Sequence, residues 1–274
     1  RMLTLVFGHT VFSVSVVLAA FMAGLGFGSY LFGYAVDKLS ANSIDSSSTA
    51  LQLYGWIEIM IFASGSVLSL LFANFAEIYS LFHSAVPESP TIQNLLKVIF
   101  SFTLILVPTT FMGATLPLIS KYCVMDNKRI GTQVSLLYAL NTLGAASGCM
   151  ITGFFLMGTF GVLQTVLMAT ACNLFIGISA LSIYKENGGT IKFSLPTINF
   201  PKLRWSPEQK FWMGISFICG FTALAYEVLW TRLLVFSIAS TVYSFSMMLT
   251  VFLLGIFLGS LLLIPLLSKI KNLR

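Results

Sequence analysis

The chain has 274 residues, of which 57% are hydrophobic and only 9% are charged. A soluble domain carries about 25% charged residues, so this chain has too few polar groups to cover its surface in water, and a soluble domain is excluded. The net charge is +6, but the basic residues lie between apolar runs, which is typical of membrane topology and gives no sign of a nucleic-acid partner.

Seven apolar runs are long enough to cross a bilayer, which requires about 20 residues. We name these predicted spans A to G, and they cover residues 9–36, 53–75, 95–120, 132–157, 160–184, 211–231 and 241–267. The sequence therefore predicts an all-α polytopic membrane protein that is embedded in the lipid bilayer.

The connections between the spans predict the orientation of the chain. With seven crossings, four of the segments that connect or follow the spans lie on one side of the membrane. These segments carry twelve of the fifteen basic residues. They are residues 37–52, 121–131, 185–210 and 268–274. Basic loops are retained in the cytoplasm, so this side is predicted to be cytoplasmic.

Ionisable residues within spans are candidate functional residues, because charge in a bilayer is costly unless a partner or a cavity receives it. Glu58 lies about two turns into span B, after Tyr54 and Trp56, and either reaches the cytoplasmic surface or binds a ligand. Glu227 lies near the outer end of span F, and either pairs near Arg232 at the headgroups or serves a proton or a substrate.

Three further features are candidates for gating or binding. Asp37 closes span A in a Gly-x-x-x-Asp-Lys string and is either a gating residue or part of a plain helix end. Pro108 and Pro117 predict a kink or break in span C, which either lines a site or is satisfied by neighbouring helices. Asn141 in span D either bonds across helices or contacts a substrate.

Glycines four residues apart lie on one face of a helix and predict close packing against a neighbouring helix. The pairs are Gly24 and Gly28 in span A, Gly144 and Gly148 in span D, and Gly255 and Gly259 in span G.

The cysteines show no paired spacing, and each lies in or beside an apolar run, so we expect buried, unpaired thiols rather than a disulfide framework or a zinc site. They are Cys123, Cys149, Cys172 and Cys219. We expect neither a metal nor a cofactor in this chain.

Residues 1–38 recur as residues 232–269 without a gap, with thirteen identities in thirty-eight positions. The identities include the pairs Arg1/Arg232, Gly24/Gly255, Gly28/Gly259, Ser29/Ser260 and Lys38/Lys269. Because each copy contains a span, the chain has an internal parallel repeat of membrane helices, which is the plan of the major facilitator superfamily.

The repeat also predicts how the chain is divided. The second copy follows span F, whereas the first begins at Arg1, so we expect a helix equivalent to span F before Arg1 and further helices after Arg274. On this interpretation the chain is a fragment at both ends. Residues 1–184 form the first-half bundle without its first helix, 185–210 a cytoplasmic linker, and 211–274 the first two helices of the second half.

Four stretches, in this order, are similar to a known family: Phe21–Ser29, Pro108–Pro117, Leu137–Ala145 and Gly220–Arg232. They resemble the membrane region of the bacterial fused facilitator/spermidine synthase-like proteins. The resemblance implies a module of the bacterial inner membrane joined to a cytoplasmic aminopropyltransferase-type domain. In relatives that domain moves an aminopropyl group from decarboxylated S-adenosylmethionine to a diamine.

No catalytic residue of that domain has a counterpart here, because Gly188-Gly189 lie in a linker without the strand and helix that a nucleotide-binding loop requires. Three interpretations remain open. The chain anchors the missing enzyme domain and handles a polyamine-related substrate, or it belongs to a facilitator-type secondary transporter without an enzyme, in which Glu58, Glu227 and Asp37 serve ion coupling or gating. A membrane scaffold without a ligand would leave these acids dispensable.

Overall fold

The computed structural model describes residues 10–42, 46–74, 90–124, 130–189, 205–238 and 240–269. These residues form seven helices, each long and apolar enough to cross a membrane, and no strand. The predicted all-α polytopic architecture is therefore confirmed. The helices are α1 (Thr10–Asn42), α2 (Ser46–Ala73), α3 (Pro90–Cys123), α4 (Ile130–Ile151, continued by a π-helical turn at Thr152–Leu156 and a last turn at Met157–Thr159), α5 (Gly161–Glu186), α6 (Pro207–Ile238) and α7 (Thr241–Lys269).

Helices α1, α2 and α6 extend into segments that the sequence assigned to connections. Helix α1 continues to Asn42 and α2 begins at Ser46, so most of the predicted loop 37–52 is helical. Helix α6 continues to Ile238, which places Arg232 within the helix rather than in a connection. Neither segment contains glycine or proline, the two residues least favourable in a helix interior.

Local sequence determines several helix ends. Gly161, with φ of +77°, and Gly188, with φ of +83°, adopt the left-handed conformation that favours glycine, the first at the start of α5 and the second just after its end. Helix α6 starts with a capping box, in which the Ser206 N–H donates to Gln209 Oε1 at 2.9 Å and the Gln209 N–H donates to Ser206 Oγ at 3.2 Å. Pro207 takes the first helical position, which needs no N–H donor.

The helices pack in two groups. Helix α3 packs against α1 and α2, and α2 also packs against α5. The apolar core between α1, α2 and α3 comprises Leu31, Phe32, Val36, Ala50, Leu53, Ile57, Ile61, Ala114 and Leu118. Helix α7 packs against α4 and, less extensively, against α6. The second copy of the repeat therefore packs mainly against α4, a helix of the predicted first half, residues 1–184.

Helices α1 and α3 cross with their backbones close together. Gly24 lies against the Thr109 side chain, and Gly28 lies against the carbonyl oxygen of Thr110. On the other side of the crossing, Gly113 lies against the backbone of Leu25 in α1. A Cβ atom at any of these three glycines would collide with its neighbour, so the crossing requires glycine.

Helix α3 runs unbroken through Pro108 and Pro117, although the sequence allowed a break there. Pro117 has no N–H, so the carbonyl of Gly113 loses its partner within the helix. The Ser29 hydroxyl of α1 donates to this carbonyl at 2.8 Å. A neighbouring helix thus satisfies a backbone group that the proline leaves free.

The second copy of the repeat presents the same residues without a partner helix. At Gly255 and Gly259 of α7, a Cβ atom would meet no described atom within 4 Å, and the Ser260 hydroxyl donates to Ile256 of its own helix at 2.9 Å. Gly144 and Gly148 of α4 face similarly open space in the described part of the chain. Of the three predicted glycine pairs, the structure therefore places only Gly24 and Gly28 at a helix crossing.

The outer surface of the helices is apolar. Phe175, Phe217, Phe221 and Phe236 are between 67% and 82% exposed. Such a surface is unstable in water but suits the hydrocarbon interior of a bilayer, which supports the membrane location.

We expect Gly28→Ala to destabilise the protein, because the added methyl group meets backbone atoms of Thr110 that cannot turn aside. Overpacking costs about 1–3 kcal/mol, whereas alanine gains up to about 1 kcal/mol over glycine in helix propensity. The matched control is Gly259→Ala, the equivalent position of the repeat, where the methyl group enters open space and stability should be unchanged or slightly higher. Thermal unfolding of the full-length protein in detergent measures both, and equal shifts would contradict the prediction.

Ser29→Ala should cost about 1 kcal/mol, because it removes the hydrogen bond to the carbonyl that Pro117 leaves free. The effect should shrink when Pro117→Ala is also present, since alanine at this position restores an N–H donor within α3. Ser260→Ala, which removes only a bond within α7, serves as the control. A double-mutant cycle of unfolding free energies measures the coupling, and additive effects of Ser29→Ala and Pro117→Ala would refute it.

Candidate functional site

Two carboxylic acids lie in the interior of the described helices. Glu58 of α2 is 5% exposed and Glu227 of α6 is 2% exposed. Both are within segments that qualify as membrane spans. Glu58 is about 18 Å along the helix axis from Ser46, and Glu227 is about 30 Å from Pro207, at a rise of about 1.5 Å per residue.

Glu58 lies where α2 crosses α5. The crossing is close because it is built on two glycines: a methyl group on Gly177 would lie 2.9 Å from the carbonyl oxygen of Gly55 and 3.2 Å from the Glu58 Cβ. The Tyr54 hydroxyl, one turn earlier on α2, hydrogen-bonds to the Glu58 carboxyl group. The Oε2 atom of Glu58 has no hydrogen-bond partner among the described residues. Glu58 is therefore enclosed by packed helices, and its carboxyl group has a hydrogen bond to Tyr54 but none at Oε2 among the described residues.

Glu227 lies between α6 and α7, in the wall of a cavity of about 580 Å³. Both of its carboxyl oxygens lack a hydrogen-bond partner among the described residues. The cavity is otherwise apolar, and its lining residues include Tyr226 and Trp230 from α6 and Met247, Met248 and Phe252 from α7. Glu227 is therefore an acid without a described hydrogen-bond partner, in the wall of a space large enough for a small ligand.

The two acids occupy separate environments. Glu58 lies at the crossing of α2 and α5, whereas the cavity beside Glu227 is lined by α6 and α7.

Arg232 does not lie beside Glu227. Five residues along a helix correspond to a rotation of about 140°, so the two side chains leave α6 on different faces. Arg232 is exposed, and the Glu227 carboxylate has no described partner. The structure therefore does not bring together the pair that the sequence suggested.

The remaining candidates lie outside these two environments. Asn141 of α4 is exposed, while the adjacent Thr142 is buried and donates to the Tyr138 carbonyl at 2.7 Å within its own helix. Asp37 falls in α1, but its side chain lies outside the residues that the structure describes.

The prediction of buried cysteines is wrong at three of the four positions. Cys123, Cys172 and Cys219 are exposed, and Cys149 is half-buried, with its thiol 3.5 Å from the Ser246 carbonyl oxygen. An apolar run in a membrane helix supplies residues for the lipid-facing surface as well as for the interior, so an apolar neighbourhood in sequence did not indicate burial. All four thiols are free, and the described ranges contain no group of three or more potential metal ligands from His, Cys, Asp and Glu.

Sequence reasoning missed the polar face of α7 and the partner of Glu58. Ser244, Ser246 and Thr250 are buried, and Gly153 of α4 lies directly against the Ser246 side chain. Ser244 and Ser246 are identities of the repeat, which was a signal available in the sequence. For Tyr54 the signal was its spacing of four residues from Glu58.

Comparison with models of protein families, with curated proteins and with solved structures found no match.

A hydrophobic carbodiimide such as dicyclohexylcarbodiimide should modify Glu227 several-fold faster than Glu58. The reagent attacks neutral carboxyl groups; Glu227 adjoins a cavity large enough to admit it, whereas Glu58 is packed against Gly177. Mass spectrometry of peptides from the full-length protein gives the two rates, with the exposed Glu186 as a solvent-facing reference. Faster modification of Glu58 would contradict the described geometry.

Proposed function

We propose that this chain is the integral-membrane module of a spermidine synthase-like protein, which anchors a cytoplasmic aminopropyltransferase-type domain and handles a polyamine-related substrate. The ordered resemblance of Phe21–Ser29, Pro108–Pro117, Leu137–Ala145 and Gly220–Arg232 supports the family assignment. The seven membrane-type helices are consistent with such a module.

One observation argues most strongly for a cationic substrate: buried carboxyl oxygens of Glu58 and Glu227 have no described hydrogen-bond partner. An ionised carboxylate that is removed from water without a partner is strongly destabilising. A positively charged amine is a partner that would compensate this cost while it is bound. Polyamines carry such groups at neutral pH.

The proposal also includes an orientation. The segments 37–52, 121–131, 185–210 and 268–274 are placed in the cytoplasm of a bacterium, because they carry most of the basic residues. An enzyme domain that follows the membrane helices would then have access to cytoplasmic diamines.

A facilitator-type secondary transporter without an enzyme is the second candidate. The packing of α7, the second copy of the repeat, against α4 of the first bundle favours it, because secondary transporters place repeat units against each other across the substrate path. In this function Glu58, Glu227 and Asp37 serve ion coupling or gating.

The open reading frame on both sides of this chain distinguishes the two candidates. The first predicts an αβ region with a glycine-rich nucleotide loop after the membrane helices. A frame that ends after about four more spans, as expected for two six-helix halves, would overturn the enzyme fusion and favour the transporter.

Neutralising the buried acids should impair the handling of diamines. Full-length protein in proteoliposomes is expected to accumulate radiolabelled putrescine, and Glu58→Gln and Glu227→Gln should each lower the initial rate by about tenfold, which corresponds to about 1.4 kcal/mol. Glu186→Gln, a change of an exposed acid at the end of α5, is the control and should leave the rate unchanged. Uptake that persists in both buried-acid variants would contradict a role of these carboxyl groups in diamine handling, and absence of uptake by the wild type would favour a membrane scaffold without a ligand.

A further inference from the structure

Each copy of the repeat has two opposite faces, and the structure covers a different face in each copy. Helix α1 packs against α3 through Gly24 and Gly28. Helix α7 packs against α4 through Ser246, which lies nine residues before Gly255, the equivalent of Gly24. Nine residues are two and a half helical turns, so the serine and the glycine lie on opposite sides of α7.

The contact of α7 with α4 shows which kind of partner the serine side of the repeat accepts. Gly153 of α4 lies directly against the Ser246 side chain. The Cys149 thiol, one turn earlier on α4, is 3.5 Å from the Ser246 carbonyl oxygen and close to the Thr250 hydroxyl. An earlier residue of α4 thus meets a later residue of α7, so the two helices run antiparallel and cross at a glycine.

The same side of α1, which we name the Ser15 face, is largely open in the described part of the chain. It comprises Ser15, Ala19, Met22 and Gly26, the equivalents of Ser246, Thr250, Leu253 and Phe257. Thr250 is buried, whereas Ala19 is exposed, and a Cβ atom at Gly26 would meet no described atom within 4 Å. Ala19 and Gly26 are smaller than their equivalents in α7, so a partner backbone can approach α1 closely.

The composition of the Ser15 face differs from that of the lipid-facing surface. Exposed positions elsewhere carry bulky side chains such as Phe175, Phe217 and Phe236. Small residues are instead enriched where membrane helices pack together, because they allow contact between backbones. The Ser15 face therefore has the composition of a helix contact, and its copy in α7 makes such a contact.

We propose that the Ser15 face of α1 docks a membrane helix of the α4 type. This helix runs antiparallel to α1, has glycine or alanine opposite Ser15, and follows Arg274 in the same polypeptide. Helices after Arg274 are expected from the plan of two repeated halves. The inference goes beyond the proposed function, because it assigns a packing partner to α1 and holds for either candidate function.

Photo-crosslinking of the full-length protein in nanodiscs identifies the partner. An aliphatic diazirine amino acid of similar size replaces Met22 by codon suppression, and mass spectrometry finds the attached molecule. We expect an intramolecular link to a peptide that follows Arg274 and that contains glycine or alanine within one turn of the linked residue. The control has the same amino acid in place of Ile178, which is 53% exposed on α5 and should yield lipid adducts.

Three results of the crosslinking would overturn the proposal. Lipid adducts as the main product at position 22 would show that the Ser15 face is open to the bilayer. A covalent dimer would show that a second copy covers it. A link to a peptide within residues 1–274 of the same copy would show that the partner does not follow Arg274.

Thermal unfolding of the full-length protein in detergent tests the same contact without a crosslinker. Ala19→Leu should lower Tm by at least about 2 °C, because the larger side chain enters a packed crossing. Ala171→Leu is the control, since Ala171 is exposed on α5 one turn before Phe175, and it should leave Tm unchanged. Equal Tm values for the two variants would overturn the proposal. Neither experiment decides putrescine uptake, which is measured separately.

Discussion

The close crossing of α1 and α3 is the contact on which the first helix bundle depends. In a bilayer the lipid is as apolar as the helices, so burial of apolar surface drives their association weakly, and contact between backbones and interhelical hydrogen bonds become decisive. Gly24, Gly28 and Gly113 permit this contact, and Ser29 adds a hydrogen bond to the carbonyl that Pro117 leaves free. The position of α3 in turn determines where α2 packs, and α2 carries Glu58.

The two copies of the repeat show that the same residues have different surroundings. Gly24, Gly28 and Ser29 contact a second helix, whereas Gly255, Gly259 and Ser260 face open space or their own helix in the described part of the chain. Helix α7 instead packs against α4 through a different face, on which Ser246 lies against Gly153. As a result, the α7 surface towards α6 remains available for the cavity beside Glu227.

Glu58 and Glu227 are both carboxylic acids buried at membrane depth, but their surroundings differ. Glu58 is enclosed at a glycine-mediated crossing and shares one hydrogen bond with Tyr54, so a large ligand has no room there. Glu227 has no described partner but adjoins a cavity lined with aromatic and thioether side chains. The surroundings therefore leave more open space beside Glu227 than beside Glu58.

The sequence by itself determined the seven helices, since an apolar run of about 20 residues has few structures other than a helix in a bilayer. It also singled out Glu58 and Glu227, because charged groups are rare at membrane depth. Only the tertiary structure decided which glycine pair meets a neighbouring helix, that Arg232 lies away from Glu227, and that three cysteines are exposed. The reason is physical: lipid-facing and helix-facing positions are equally apolar, so the pattern along a span specifies a helix but does not specify which of its faces has a partner.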